Sequence, residues 1–157
     1  MNLTALQRTS LSLKGRALRL LSGREHSRLE LERRLAAYET SPGELAKILD
    51  EFEGKGFISE ARVVESVINR RGAKLGSARI RQELQNKGLG RDLVSAALAG
   101  LQSTEIERAR VLWEKKFGEV ATEPSARGKQ MRFLASRGFG GDTIRRVMAG
   151  QCDDEQD

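Results

Sequence analysis

Residues 84–100 read LQNKGLGRDLVSAALAG, and residues 134–150 read LASRGFGGDTIRRVMAG. At an offset of 50 they align Lys87-Gly88-Leu89-Gly90 with Arg137-Gly138-Phe139-Gly140, and Gly100 with Gly150. A glycine followed by an apolar residue after a helix is a stop signal. Glycine takes the left-handed conformation at no steric cost, and the next side chain folds back on the last turn. The same punctuation at the same spacing marks a copied helical unit.

Apolar positions extend the copy to the whole chain. Leu35, Leu84 and Leu134 are separated by 49 and 50 residues. The same shifts align Leu45 with Val94 and Ile144, Ile48 with Ala97 and Val147, and Leu49 with Leu98 and Met148. Leu18, Val67 and Phe117 each stand 17 residues before the reference leucine. Helix starts are marked too. Ser27-Arg-Leu-Glu30, Ser41-Pro-Gly-Glu44 and Thr104-Glu-Ile-Glu107 each offer a hydroxyl cap with a glutamate three residues on. In the second of these, Pro42 falls at the first helical position, where its missing N–H costs nothing.

Each repeat therefore reads as three short helices: 13–21, 28–38 and 42–52, then 60–71, 77–87 and 91–99, then 105–117, 127–137 and 142–149. The expected class is all-α, an elongated, curved array of three tandem three-helix, helix-turn-helix-like repeats. Their expected limits are 13–57, 58–103 and 104–150, between a flexible start at 1–12 and an acidic, disordered tail at 151–157. A unit of this size buries little alone, so adjoining units must share apolar surface. Composition agrees: the 157 residues are only 4% aromatic, and Leu, Ala, Arg, Glu and Lys dominate, which favours helix over sheet.

The chemistry that most enzymes need is missing. His26 is the only histidine, set between Glu25 and the capping Ser27, and it reads as a solvated residue at a helix start. With one distant cysteine, Cys152, no zinc site can be assembled, and a Ser-His-Asp or Cys-His nucleophile would have to use His26, whose neighbourhood does not suggest one. Gly88-Leu-Gly90-Arg-Asp-Leu93 lacks the third glycine and the preceding strand of a dinucleotide fingerprint, and no GxxxxGK[ST] phosphate loop occurs. Carboxylate pairs such as Asp50-Glu51 and Glu30-Leu-Glu32 lie on helices rich in basic partners and read as solvated faces. Trp113 and Phe117 have the spacing of a base-stacking platform, but Phe117 holds a repeated apolar position, so the pair reads as core. No catalytic residue, metal or cofactor is expected.

A single cysteine excludes an internal disulfide, no apolar run approaches the ~18 residues that span a bilayer, and the start resembles no signal peptide. A cytoplasmic monomer with no membrane association is the expectation. Charge points to the partner. The net charge is +6, and between Arg70 and Arg91 stand Arg70, Arg71, Lys74, Arg79, Arg81, Lys87 and Arg91 against one acid, Glu83. That window alone carries the surplus of the whole chain. Arg70, Arg71 and Lys74 complement the dipole at a helix end. Arg79 and Arg81 open the next helix, where positive charge is disfavoured, which suggests a partner offering phosphates or acidic side chains.

The motifs also resemble a known family, the RecX regulators of bacterial RecA. Arg24-Glu-His-Ser27 with Glu30-Leu31 and Leu35 is similar to its first-repeat motif. Residues 76–89, with Ile80, Leu84 and Lys87-Gly88, are similar to the second. Gly118-Glu119 and Arg132-Phe-Leu-Ala-Ser-Arg137-Gly-Phe139 resemble the third. The resemblance runs from about Leu13 to Met148. One departure is that Val63, Val64 and Val67 stand where the family carries aromatic residues. The resemblance implies three modules in the groove of a RecA–single-stranded DNA filament. It also implies inhibition of RecA's ATP hydrolysis, strand exchange and co-protease activity without catalysis; free DNA is expected at most as a weak further partner. The alternatives are a stand-alone helix-turn-helix-like DNA-binding protein and a pure protein scaffold.

Overall fold

The computed structural model describes residues 11–153, and among these there are nine α-helices and no strand. They are α1 (Leu13–Gly23), α2 (Arg28–Leu35, continued by a 3-10 turn, Ala36–Tyr38), α3 (Glu44–Gly54), α4 (Glu60–Arg71), α5 (Ser77–Asn86), α6 (Arg91–Gln102), α7 (Glu105–Lys116), α8 (Pro124–Ser136) and α9 (Gly141–Asp153). The all-α class and the run of three-helix units are as expected. Ser12 caps α1 by accepting from the Gly15 N–H at 3.0 Å, so helix begins at the end of the stretch expected to be flexible. At the other end α9 reaches Asp153, inside the expected tail, and residues 1–10 and 154–157 lie outside the described residues.

The caps divide into those that sequence identifies and those it does not. Ser27 forms the expected capping box: its hydroxyl accepts from the Glu30 N–H, and the Glu30 carboxylate accepts from the Ser27 N–H. At Ser41-Pro-Gly-Glu44 the expectation fails. There α3 starts two residues late, at Glu44, capped by Gly43 in the left-handed conformation, and Glu44 reaches back to Thr40 instead. Thr104 also makes no side-chain cap; its hydroxyl donates to the Leu101 carbonyl at 3.1 Å. At Thr104 a competing local hydrogen bond draws the hydroxyl away from the helix start.

Contacts divide the chain into two bodies: residues 11–63 with Lys87–Leu89, and Val64–Asn86 with the residues from Gly90 on. In the first, Leu13, Ala17, Leu31, Leu35, Leu45, Leu49, Phe52 and Ile58 form one buried cluster. In the second, Trp113 is completely buried with Ala109, Leu134, Phe139, Ile144, Val147 and Met148, and the Phe117 ring meets Phe133 edge-on at 5.5 Å. The pair at 113 and 117 is thus core, as expected. Of the repeated apolar positions only Leu18 departs, being 41% exposed. Its neighbour Ala17 is fully buried in its place, because α1 meets α2 one residue out of register with the later copies.

The two glycine turns stop their helices and also seat on another helix start. At Gly138 (φ 94°) the Gly138 N–H donates to Ala135 at 3.0 Å and the Phe139 N–H to Leu134 at 3.2 Å, completing the expected stop. The turn then receives the Gly76 N–H on the Arg137 carbonyl at 2.7 Å and the Ala78 N–H on the Gly138 carbonyl at 3.2 Å. These are donors that the start of α5 would otherwise leave unpaired. At Gly88 (φ 73°) the turn meets the start of α2: Lys87 Nζ lies 3.0 Å from Glu30 Oε1, and a Cβ on Gly88 would come within 2.6 Å of Leu29 Cδ2.

Candidate functional site

The seven candidate cations do not form one set. Arg70 and Arg71, in the last turn of α4, are about half exposed and share one carboxylate, Glu83 on α5, at 3.9 and 3.4 Å. Lys74 sits in the loop after α4, exposed. Arg81 on α5 is exposed along a cleft of about 380 Å³, whose walls also carry Arg146, Ser77 and Glu105. Arg91 opens α6, exposed. Among the described residues, Lys74, Arg81 and Arg91 have no carboxylate within 4 Å.

Two of the seven have structural employment. The Arg79 guanidinium donates to the Ser136 carbonyl at 2.7 Å, where a cation complements the C-terminal end of α8. Its place at the start of α5 therefore has an explanation within the fold. Lys87 is only 13% exposed and belongs with the first body, paired to Glu30. Burial works against the Glu30 charge, but the Ser27 N–H, the Lys87 ammonium and the Arg24 guanidinium outweigh it and hold the carboxyl at about 2.

The loop bearing Lys74 is fixed from below. Arg108 on α7 donates to the Gly72 and Leu75 carbonyls at 2.7 and 2.9 Å and to Leu101 at 3.3 Å. Burial pushes its guanidinium down and Glu105 opposes that. Glu105, itself buried, accepts from the Ser77 N–H at 3.0 Å and from the Ser77 hydroxyl. Lys74 thus stands on a loop held by buried polar groups, one of five exposed cations with Arg70, Arg71, Arg81 and Arg91.

Three family models match the chain, the first, second and third three-helix domains of RecX, over residues 14–52, 59–98 and 103–148. The chain belongs to the RecX family. The relatives it resembles include the regulatory protein RecX of Leptothrix cholodnii, 49% identical over 144 residues, 92% of each chain. That of Ralstonia nicotianae is 44% identical over 146 residues, 93% of this chain and 92% of the relative. The crystal structure of RecX from Lactobacillus salivarius superposes with a TM-score of 0.74 at 21% identity, covering 88% of this chain and 93% of that one, a likeness of fold. Membership in RecX makes a regulatory role the coarse functional conclusion. No helix among the described residues is long and apolar enough to cross a membrane.

Sequence reading missed Arg108, whose spacing from Thr104 and Glu105 looks like an ordinary solvated helix pair. It also misplaced His26. The ring is 2% exposed, not solvated, with Nδ1 3.0 Å from the Arg24 carbonyl and Nε2 without a partner in the protein. Its neighbours in sequence are charged, but the chain between α1 and α2 turns the imidazole inward.

Proposed function

We propose that this chain regulates the RecA recombinase. In this reading it binds in the groove of the RecA–single-stranded DNA filament and inhibits RecA's ATP hydrolysis, strand exchange and co-protease activity, tempering recombination and the SOS response without chemistry of its own. The observation that carries the proposal is the set of five exposed cations, Arg70, Arg71, Lys74, Arg81 and Arg91, of which only Arg70 and Arg71 have a carboxylate within 4 Å, that of Glu83. A nucleoprotein groove presents phosphates and acidic side chains together, and guanidinium groups serve both. A monomer in a reducing cytoplasm suffices for this role.

A stand-alone reader of DNA sequence fits less well. Along the middle of α6 the exposed positions are Ser95, Ala96 and Ala99, too small to reach base edges in a major groove. On α9, Arg145 and Arg146 are both drawn to Asp142, at 3.4 and 3.3 Å.

The deciding experiment is RecA's DNA-dependent ATPase under titration with the whole chain. Inhibition at or below stoichiometric ratio is expected. Reversing Arg70, Arg71, Lys74, Arg81 and Arg91 to glutamate should raise the concentration needed by well over tenfold while helicity is unchanged. Binding to the filament or to free single strands should fall with salt. About four phosphate contacts would give a log–log slope near −3. Full potency in the reversed variant, or no inhibition by the native chain, would overturn the assignment.

A further inference from the structure

A second cationic site lies in the first body. The end of α1, the loop to α2 and the 3-10 turn enclose a cleft of about 770 Å³. Its charged walls are Arg16, Arg19, Arg24 and Arg34, and none of its lining residues is acidic. Only Arg24 is spoken for, by Glu30 at 2.9 Å; among the described residues, Arg16, Arg19 and Arg34 have no carboxylate within 4 Å. Three unneutralised guanidinium groups around one cleft repel each other, a cost that an anion would relieve.

The cleft also has an aromatic side. Tyr38, the chain's only tyrosine, is 50% exposed, and the Arg16 guanidinium lies 3.9 Å from its ring centroid. That cation–π contact orients both groups while leaving much of the ring open. His26 is in the wall as well. Its Nδ1 must donate to the Arg24 carbonyl, which makes the partnerless Nε2 of the neutral ring an acceptor. Leu20 and Leu35 supply apolar surface beside it.

Guanidinium forks and an open aromatic face together match an anionic group carried on a flat heterocycle. We propose that this cleft binds a nucleotide, with Arg16, Arg19 and Arg34 on the phosphate and the base stacked on Tyr38. An acidic peptide would use the charges and leave the ring idle. The volume falls within the ~300–1,000 Å³ of ordinary small-molecule sites. The same chemistry is offered by a free nucleotide and by one unit of a single strand.

Because His26 and Tyr38 are the only residues of their types, ring resonances of the whole chain report on the cleft without ambiguity. Titration with dTMP or ATP is expected to shift both, saturably, if free nucleotides are bound. A shift with an oligo-dT strand alone would assign the source to the strand, and either outcome supports the site. Arg16→Glu with Arg19→Glu should weaken binding at least roughly tenfold, since each charge-assisted contact contributes about 1.5–3 kcal/mol. Tyr38→Ala should weaken it, and Tyr38→Phe should not. The variant reversed at Arg70, Arg71, Lys74, Arg81 and Arg91 should keep the response, so failure of the filament proposal is read separately. Unmoved resonances with every nucleotide probe, or an equal response to poly-glutamate that Tyr38→Ala leaves intact, would overturn the proposal.

Discussion

The turns at Gly88 and Gly138 arise from nearly the same four residues, yet they hold their neighbours by different forces. At Gly138 the contact is backbone on backbone, with the Gly76 and Ala78 N–H groups donating to the turn's carbonyls and Arg79 closing over Ser136. At Gly88 the contact is a partly buried ion pair, Lys87 with Glu30, beside the side chain of Leu29. One junction is set by shape and the other by charge. A copied sequence motif therefore fixes where a junction forms and leaves its physics to whichever residues it meets.

Substitutions can break or sharpen that contrast. The largest effect is expected at Gly138→Ala. The left-handed φ costs about 1–2 kcal/mol, and a Cβ there would lie 2.7 Å from the Arg79 backbone nitrogen, which cannot step aside. A loss of about 3–4 kcal/mol should appear in urea unfolding. Next comes acid. Glu30 sits at about 2 in the fold against 4.5 unperturbed, a difference that corresponds to about 3 kcal/mol at neutral pH. A depressed carboxyl contributes fully above 4.5, and that contribution fades as pH falls toward 2. Unfolding free energies of the native chain and Glu30→Gln, measured from pH 7 to pH 2.5, should therefore converge at the acid end; parallel curves would remove charge from the account of this junction. Gly88→Ala should cost about 1–2 kcal/mol, less than its counterpart, because the end of the Leu29 side chain can give way. An equal or larger loss there would erase the distinction between the two turns. The smallest effect is Ser27→Ala, about 1 kcal/mol for a lost cap, visible as a modest fall in Tm.

Much of the architecture was legible because it is written locally. A glycine after Lys87 or Arg137 and a serine three residues before Glu30 each act within one helical turn, and the helices begin and end near them, whereas α8 begins at Pro124, three residues before the expected start. Where two local signals compete, the reading failed. Ser41 and Thr104 have the composition of caps, but the Glu44 carboxylate is taken by Thr40 and the Thr104 hydroxyl by the Leu101 carbonyl. The cationic set was legible as a sum and not as an arrangement. Charge counting cannot distinguish Arg81, exposed along a cleft, from Arg79, committed to a carbonyl 57 residues away in sequence. His26 and Arg34 were hidden for the same reason: α1 and the 3-10 turn bring their pocket together, and no spacing in the chain announces it.

The early start of α8 sets it apart from α2 and α5. The starts of α2 and α5 each receive a glycine turn. Shifted by 50 residues, the donors Gly76 and Ala78 fall at Ala126 and Gly128, which lie inside α8 because that helix begins at Pro124. The third copy is thus already helical where the second is only beginning a helix, and its first residue, a proline, brings no N–H.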